Sequence, residues 1–510
     1  MKRRSFLRNA LLGTTAVAIT PTVFLASCDP DGVLDPKVIF GNVGGLTVPE
    51  PPFVNPIASL NPTTAIGASL DAVKNSEILL GVTNPTFCFG YGNGIWGPTL
   101  RIRQGESVNI DVANHINEST NVHFHGLMLN AGEDDGVDDA ITNGGSRSYN
   151  FTVNNRAGLY WYHPQYDKSA GKQINIGLGG LFVVEDDEED GINLPNGDRE
   201  MFLVLQDKRF NEDNSMFYGT NTAEQMVGYF GETMMINGVT GALKDNLSQR
   251  YYRLRICNAS NARIYNLGLD SEDLTDLGFY IIGGDGGLLE NITATPTSSI
   301  YLAPGERVDV IVDFRNIPVG SFAQLKSRQF GNAGAYQGVV GFTLMQFNIT
   351  TAFDETYTLP GSLTSIVELT EGDATVTRNI NVSNSQLNQD FATAHVDSGD
   401  MHQIDGAAYE AGVSAFEVNA GTTELWEFKN EGDEPVAMHV YGVQFQIIER
   451  IGGRGNVRVW EKGWKDTILA LPTETVRIVI PFTNAPGRYF FCATNLEAAD
   501  SGMIQAFDIV

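Results

Sequence analysis

The sequence predicts an all-β protein built from three β-sandwich domains. From about residue 75 onward, short runs rich in Val, Ile, Phe, Tyr and Thr alternate with turns of Gly, Asn, Asp and Pro, and no long window has a helical period. Apolar and polar residues alternate over 107–112 and 424–428, as in half-buried strands. A glycine turn that feeds such a strand recurs at 100–113, 303–314 and 420–429, which indicates three similar units.

The 510 residues are too many for a single core. An acidic stretch over 186–198 separates the first two strand-rich regions, and a second boundary falls within 355–385. Helices should be few and short, with one of a turn or two at 169–174. The expected order is therefore a signal segment over 1–28, a flexible tether over 29–74, and domains over 75–187, 198–360 and 380–510.

The composition excludes nucleic acid as a partner. A formal net charge of -28 makes the electrostatic contribution to nucleic-acid binding repulsive. Two acidic runs, 133–139 and 185–190, could be considered as cation sites, but neither has the spacing of a calcium loop. We expect both to be solvated surface.

The N-terminus is typical of an exported protein. Arg3 and Arg4 precede an apolar run over 10–25, and Cys28 closes the sequence Leu-Ala-Ser-Cys, which resembles a twin-arginine signal with a lipoprotein cleavage box. We therefore expect attachment to the membrane through a lipid on Cys28, in the periplasm or at the outer membrane of the bacterial envelope. The remaining cysteines, Cys88, Cys257 and Cys492, are odd in number, and we expect no disulfide.

Four histidines occupy patterned positions. His123 and His125 are two residues apart in a predicted strand and so point to the same side, while His163 and His439 lie in two other predicted strands. Imidazole binds copper, zinc, iron and nickel, and the spacing alone names no metal. The other histidines lie in loop-like sequence and are expected at the surface: His115, His395 and His402.

Seven longer segments carry a family resemblance. They are GPTLRIRQGESVNIDVANHINESTNVHFHGL, AGLYWYHPQ, YYRLRICNASNARIYNLGL, GGDGGLLE, YLAPGERVDVIVDF, GTTELWEFKNEGDEPVAMHVYGVQFQIIER and PGRYFFCATNLEAADSGM. Together they resemble the bacterial laccase-like branch of the multicopper oxidase family. The resemblance implies three Greek-key cupredoxin-like β-sandwich domains, a type 1 copper in the third domain, and a trinuclear copper cluster between the first and third.

The resemblance also implies that the type 1 site is lost. The ungapped alignment puts its two histidines, its cysteine and its methionine on Val436, Ala498, Ala493 and Met503. A type 1 copper needs two imidazoles and a thiolate, and the thioether is only a weak ligand. Cys492 does not replace Ala493, because a shift of one residue along a strand turns the thiol to the opposite face.

The trinuclear positions are half retained. By the resemblance, His123 and His439 match the type 2 pair, and His125 and His163 match two type 3 ligands. The four other histidines are replaced by Gln165, Tyr441, Cys492 and Thr494. Two interpretations remain open: four vestigial imidazoles, or one mononuclear copper or zinc site with Cys492 as a fifth group.

These features predict a non-catalytic scaffold of the cell envelope with an envelope protein as partner. It would be similar to the copper-free, twin-arginine-exported family members that protect the cell-division machinery. The first alternative is a mononuclear copper- or zinc-binding protein, and the second is a laccase-type oxidoreductase. A working oxidase would need the type 1 site for electron entry, so we do not expect a functional laccase.

Overall fold

The computed structural model describes residues 55–56, 63–64, 66–77, 79, 85–219, 222–331, 337–384 and 402–510. The predicted signal segment, with Arg3, Arg4 and Cys28, lies outside the described residues, as does His395. No helix of the described residues has both the length and the apolar character needed to cross a membrane. Export and lipid attachment therefore stay predictions.

Domain 1 is a sandwich of a five-stranded and a four-stranded sheet. The first ten strands are β1 (Asn55–Pro56), β2 (Thr63–Thr64), β3 (Ala68–Glu77), β4 (Thr86–Tyr91), β5 (Leu100–Arg103), β6 (Ser107–Asn114), β7 (His123–His125), β8 (Ser146–Thr152), β9 (Gly158–His163) and β10 (Gly180–Glu185). The two sheets have the orders β2-β5-β10-β9-β7 and β4-β3-β6-β8. In β6 the buried positions alternate with exposed or half-buried ones, as the sequence predicts.

Domain 2 joins a seven-stranded to a six-stranded sheet. Its strands are β11 (Glu200–Lys208), β12 (Thr233–Ile236), β13 (Val239–Thr240), β14 (Ala242–Ser248), β15 (Tyr251–Asn258), β16 (Tyr265–Ser271), β17 (Tyr280–Gly284), β18 (Gly287–Leu288), β19 (Ile300–Leu302), β20 (Arg307–Asp313), β21 (Phe322–Ser327) and β22 (Phe342–Thr351). The orders are β13-β12-β11-β15-β20-β17-β18 and β1-β14-β22-β21-β16-β19. The N-terminal strand β1 thus extends a sheet of domain 2.

Domain 3 contains two five-stranded sheets. Its strands are β23 (Val376–Asn384), β24 (His402–Ile404), β25 (Ser414–Val418), β26 (Thr423–Asn430), β27 (Val436–Val440), β28 (Gln446–Ile451), β29 (Thr467–Ala470), β30 (Thr475–Pro481), β31 (Gly487–Ala493) and β32 (Ile504–Ile509). The orders are β24-β23-β26-β30-β28 and β25-β32-β31-β27-β29. Each domain has its own apolar core between its two sheets, which confirms three cupredoxin-like sandwiches.

The helices of the described chain are short. They are α1 (Ala170–Ile176), α2 (Asp187–Asp190), α3 (Thr222–Val227) and α4 (Leu496–Asp500), with 3-10 turns at Gly197–Arg199, Glu371–Asp373 and Val459–Glu461. Helix α1 confirms the short helix predicted at 169–174. It ends at Gly177, where φ is 132° and a Cβ atom would lie 2.4 Å from the carbonyl oxygen of Phe89. Only glycine fits that helix end.

Two expectations differ from the structure. Strand β3 begins at Ala68, before the domain start predicted at residue 75, and pairs with β4 and β6. The acidic run 185–190 is solvated only in part, since Asp187, Glu188 and Asp190 are exposed. Its Glu189 accepts hydrogen bonds from Arg253 and Arg255 of domain 2, and Asp186 caps α2. The signal in the sequence was the pair of arginines in β15. They are two residues apart, so both point to the face of the strand that this run covers.

Candidate metal centre

The four patterned histidines meet where domain 1 contacts domain 3. His123 and His125 project from β7, His163 is paired with His123 across β7 and β9, and His439 comes from β27. Each is at most 2% exposed. All four line one small pocket, as the sequence analysis predicts.

The ligand nitrogens of these residues are close enough to share an ion. His123 Nε2 lies 3.1 Å from His439 Nε2, and His125 Nδ1 lies 3.2 Å from His163 Nε2. Two nitrogens bound to one tetrahedral ion at roughly 2.0–2.1 Å would be roughly 3.3 Å apart. Two sets of side chains have all their ligand atoms within 4.8 Å of one another: His123, His125 and His163, and His125, His439 and Asp466.

A hydrogen bond fixes the tautomer of His439, and the charge of Asp134 decides that of His123. His439 Nδ1 lies 2.9 Å from the carbonyl oxygen of Asp466, which can only accept, so the proton of His439 is on Nδ1. His123 Nδ1 lies 2.7 Å from Oδ2 of Asp134 and donates to it when that carboxylate is ionised. With Asp134 ionised, both Nε2 atoms direct lone pairs at each other. A cation between them would remove this repulsion. Burial raises the pKa of Asp134 to about 7, and when this carboxyl is protonated His123 can carry its proton on Nε2 and donate it to His439 Nε2.

Burial keeps three of the imidazoles neutral. It lowers the pKa of His123, His125 and His163 well below the usual value, and the neighbouring histidines lower it further. Neutral imidazole is the form that binds metal. The donor set therefore fits a metal ion such as copper or zinc.

Asp466 supports the cluster from behind. Its carboxylate accepts from both terminal nitrogens of Arg307 at 2.8 and 2.5 Å, and it lies 3.3 Å from His125 Nε2. Burial by itself would raise the pKa of Asp466, but Arg307 holds it well below the usual range. Gly126 permits this approach, because a Cβ there would lie 2.4 Å from Oδ2 of Asp466.

The replaced positions close the pocket without adding strong ligands. The ring of Tyr441 stacks on His123 with centroids 3.8 Å apart. Cys492 lines the pocket, but its sulfur donates to the hydroxyl of Tyr441 over 4.0 Å and belongs to neither close ligand set. Burial raises the pKa of Cys492 to about 12, so its thiol is protonated in the absence of a metal ion. A role for Cys492 as a fifth group stays a prediction.

The positions that match a type 1 site lie in an apolar core. Val436, Ala493, Ala498 and Met503 are between 1% and 4% exposed and pack together inside domain 3. Cys492 precedes Ala493 in β31 and faces the other side, toward Tyr441. The predicted alternation of these two residues is confirmed.

Sequence analysis missed several residues of this region. The run 133–139 is solvated only in part: Asp138 and Asp139 are exposed. Asp134 lies 2.7 Å from His123 Nδ1, and Asp135 is 1% exposed and accepts from the backbone N–H of Val122. The signal was its proximity to the His-x-His strand. His402 was also expected at the surface, but it is 1% exposed and donates from Nε2 to the carbonyl oxygen of Gln225. His115 is exposed, as predicted.

Comparison with known proteins agrees with this architecture. Models of multicopper oxidase domains match residues 66–189 and 377–510. A multicopper oxidase of Staphylococcus haemolyticus is 28% identical over 419 residues, which cover 81% of this chain and 82% of that protein. The cell division protein FtsP of Sodalis glossinidius is 28% identical over 430 residues, which cover 82% and 84%.

A solved structure has the same fold over most of the chain. The McoA multicopper oxidase of the hyperthermophile Aquifex aeolicus superimposes with a TM-score of 0.80 and 26% identity, over 89% of this chain and 99% of that one. The three sandwiches and the two matched segments agree with this family. The chain belongs to the multicopper oxidase family.

Proposed function

We propose that this chain is a non-oxidase member of its family that acts as a scaffold protein of the bacterial cell envelope. The observation that carries the proposal is the apolar packing of Val436, Ala493, Ala498 and Met503 at the positions that match the type 1 site. Without two imidazoles and a thiolate there, copper has no strong ligand. Electrons from a substrate would then have no entry to the inter-domain cluster.

The scaffold role is supported by one group of relatives. The proteins named FtsP are cell division proteins, and the one from Sodalis glossinidius is as similar to this chain as the staphylococcal oxidase. A fold that persists while its redox positions become apolar suits a binding role. We propose an envelope protein as the partner, with export by the twin-arginine signal and attachment through Cys28.

Copper loading tests the loss of oxidase function. We expect the purified chain, dialysed against copper, to show no intense blue absorption and no copper-dependent oxygen uptake with a phenolic substrate. The laccase of Bacillus subtilis serves as the positive control in the same assay. A blue band with steady oxygen consumption would contradict the proposal.

Sorting is tested separately. Cys28→Ala should move the protein from the membrane pellet to the soluble fraction, because it removes the thiol that would carry the lipid. Arg3→Lys combined with Arg4→Lys should stop export. A Cys28→Ala variant that stays in the pellet would instead favour an uncleaved signal anchor.

A second candidate function is the binding of one metal ion. It rests on the two facing Nε2 atoms of His123 and His439, 3.1 Å apart, whose lone pairs a cation between them would stabilise. When bound, copper or zinc would supply Lewis acidity, and copper could also supply redox chemistry. His123 and His439 would hold the ion, and the ring of Tyr441, stacked on His123, would shield it.

Calorimetric titration of the metal-free chain tests this candidate. We expect one zinc or copper ion per chain, with binding lost in His439→Ala and kept in His115→Ala, since His115 is exposed and outside the pocket. Binding should also raise the unfolding temperature. Three tightly bound ions, or equal binding by both variants, would contradict a mononuclear centre.

A further inference from the structure

An open groove lies between domains 2 and 3, and none of its lining residues belongs to the histidine pocket. Its cavity volume is about 630 Å³, within the range of sites that hold ligands, and it is lined by residues of both domains and of the connecting segment 366–371. On one side it is bounded by the residues that follow β18, on the other by the start of β28. These strands are the outermost members of their sheets.

The connecting segment is fixed in place along this groove. The backbone N–H of Leu363 donates to the carbonyl oxygen of Glu290 in domain 2 at 2.9 Å. On the domain 3 side, Gln446 donates to the carbonyl oxygen of Val367 at 2.8 Å and accepts from the N–H of Leu369 at 2.9 Å. The groove is therefore built from three anchored walls.

The walls expose apolar side chains. Four apolar side chains in the groove are half-buried: Ile292, Ile366, Leu369 and Ile448. Val459 lines the groove and is 37% exposed. Exposed apolar surface of this kind, next to polar residues, is typical of a protein-binding site.

The rim carries an acidic charge. Glu290, Glu368 and Glu371 are exposed there against one lysine, Lys462. Glu371 is paired with Arg477, whereas the carboxylates of Glu290 and Glu368 have no recorded ion-pair partner among the described residues. The electrostatic complement of this rim is a segment that carries lysine or arginine.

Charge also argues against two other occupants of the groove, the chain's own N-terminal segment and a second copy of the chain. Residues 29–54 contain four carboxylates and one lysine, so the predicted tether is as acidic as the rim. Two copies would each carry a net charge of -28. Edge-to-edge pairing through β28 is further opposed by a bulge between Ile447 and Glu449.

We propose that this groove docks an extended segment of a partner protein, with apolar side chains for the walls and lysine or arginine side chains for the rim. The inference rests on the proposed scaffold function and names the class of partner. Apolar contacts supply most of the affinity, while Glu290 and Glu368 select basic over acidic segments. Docking in the groove requires no change in the histidine pocket.

Fluorescence anisotropy with a synthetic probe tests the proposal. The probe is a labelled nine-residue peptide in which lysine alternates with valine and leucine, titrated with the purified full chain. The same peptide with glutamate in place of lysine is the matched acidic probe. We expect saturable binding of the lysine peptide, at least about tenfold tighter than that of the glutamate peptide.

Surface variants locate the binding. Glu290→Lys with Glu368→Lys should weaken binding of the lysine peptide about tenfold, and Val459→Ser should weaken its binding several-fold. The controls are Glu212→Lys with Glu410→Lys, which makes the same charge change, and Val319→Ser, a similarly exposed valine; none of these residues lines the groove. Both controls should bind as the parent chain does.

Three results would overturn the proposal. The first is the absence of saturable binding, or equal binding of both peptides. The second is tighter peptide binding after deletion of residues 1–54, which would assign the groove to the chain's own N-terminus. The third is a dimer in sedimentation that Val459→Ser dissociates. None of these affects the copper and oxygen measurements, which test the loss of oxidase function independently.

Discussion

The facing nitrogens of His123 and His439 determine which cation can occupy the centre. Either a proton or a metal ion would remove the repulsion between the two lone pairs. Burial lowers the pKa of His123 well below the usual value, and His439 beside it lowers the pKa further, so protonation is unfavourable there. A metal ion is the more favourable cation at this position, because bonds to several nitrogens offset the cost of burying its charge.

The lowered pKa values lead to a pH prediction for metal binding. An ordinary imidazole, with a pKa near ~6.5, would lose about tenfold in metal affinity at one unit below that pH because the proton competes. Since burial lowers the pKa of His123, His125 and His163, we expect zinc affinity to fall less than about tenfold between pH 7 and pH 5.5. Competition with a chromophoric chelator measures it. A much steeper loss would indicate solvated imidazoles.

The ion pair behind the histidines gives a stability prediction. Asp466 and Arg307 are both 0% exposed in their side chains. Asp466→Asn removes the nearer of the two carboxylates that neutralise the buried guanidinium and leaves only Asp285, whose Oδ1 lies 3.6 Å from Arg307. It should cost up to about 3–5 kcal/mol in the free energy of unfolding. Urea titration followed by tryptophan fluorescence measures the loss.

A surface pair is the matched control for that change. Arg488 and Asp508 lie 3.2 Å apart with side chains 36% and 33% exposed. Asp508→Asn should therefore cost no more than about 1 kcal/mol. If Asp466→Asn were equally mild, water would reach Arg307, and the buried ion pair would not stabilise the junction.

At this scale the sequence predicted the histidines but not their supports. His-x-His in one strand has a fixed geometry, so the shared direction of His123 and His125 followed from spacing. Asp466 and Arg307 are separated by 159 residues and come from different domains, and no local pattern joins them. Buried charges are recognisable only once the fold has removed water from them.

Strand β31 shows how one element separates two environments. Cys492 faces the histidine pocket, and Ala493 faces the core of domain 3. A strand permits no other arrangement, since successive side chains point to opposite faces. The sequence predicted this alternation correctly, whereas it missed that β3 begins at Ala68, because polar residues within that strand resemble a tether.

Strand β11 carries a buried lysine at its contact with α1. Lys208 is 1% exposed, and its ammonium donates to the carbonyl oxygen of Ile174 at 3.3 Å. Burial lowers the pKa of Lys208 to about 7, although Asp207 and Glu497 oppose this effect. Between about pH 7 and the ordinary value of 10.5, the unfolded chain binds a proton that the folded chain does not. Stability from this group therefore rises with pH across that window.

Replacement of the lysine should remove this dependence. We expect Lys208→Met to be more stable than the parent chain at pH 7 by about 1–4 kcal/mol, with the difference shrinking toward pH 10. Urea titrations at both pH values measure it, and Lys429→Met, at an exposed lysine, is the control. A destabilised Lys208→Met would mean that ionised Asp207 and Glu497 keep the lysine charged.

On the scale of the whole molecule, the three domains are joined by buried charges beneath the histidine pocket. Arg307 of domain 2 bonds Asp466 of domain 3 and the carbonyl oxygen of Leu159 in domain 1, and Lys465 of domain 3 bonds Asp285 of domain 2. The junction thus has a structural role whether or not a metal binds.

Restoring the ligands at the positions that match the type 1 site gives a prediction for the whole molecule. Val436→His, Ala493→Cys and Ala498→His together would return two imidazoles and a thiolate beside Met503. Each enlargement of this packed core should cost about 1–3 kcal/mol, which copper binding would offset. We expect intense blue absorption on copper loading but still no oxygen reduction, because four ligand positions of the inter-domain cluster remain replaced.

The opposite orientations of Cys492 and Ala493 in β31 provide the control for this experiment. The double variant Val436→His with Ala498→His retains Cys492 as its nearest thiol along the strand, but that thiol faces Tyr441 and not the core of domain 3. It should stay colourless with copper, while the triple variant turns blue. A blue double variant would show that Cys492 can reach the core side, and the assignment of Ala493 to the cysteine position would then be wrong. Oxygen uptake by the triple variant would show that four imidazoles suffice for the second half of the reaction.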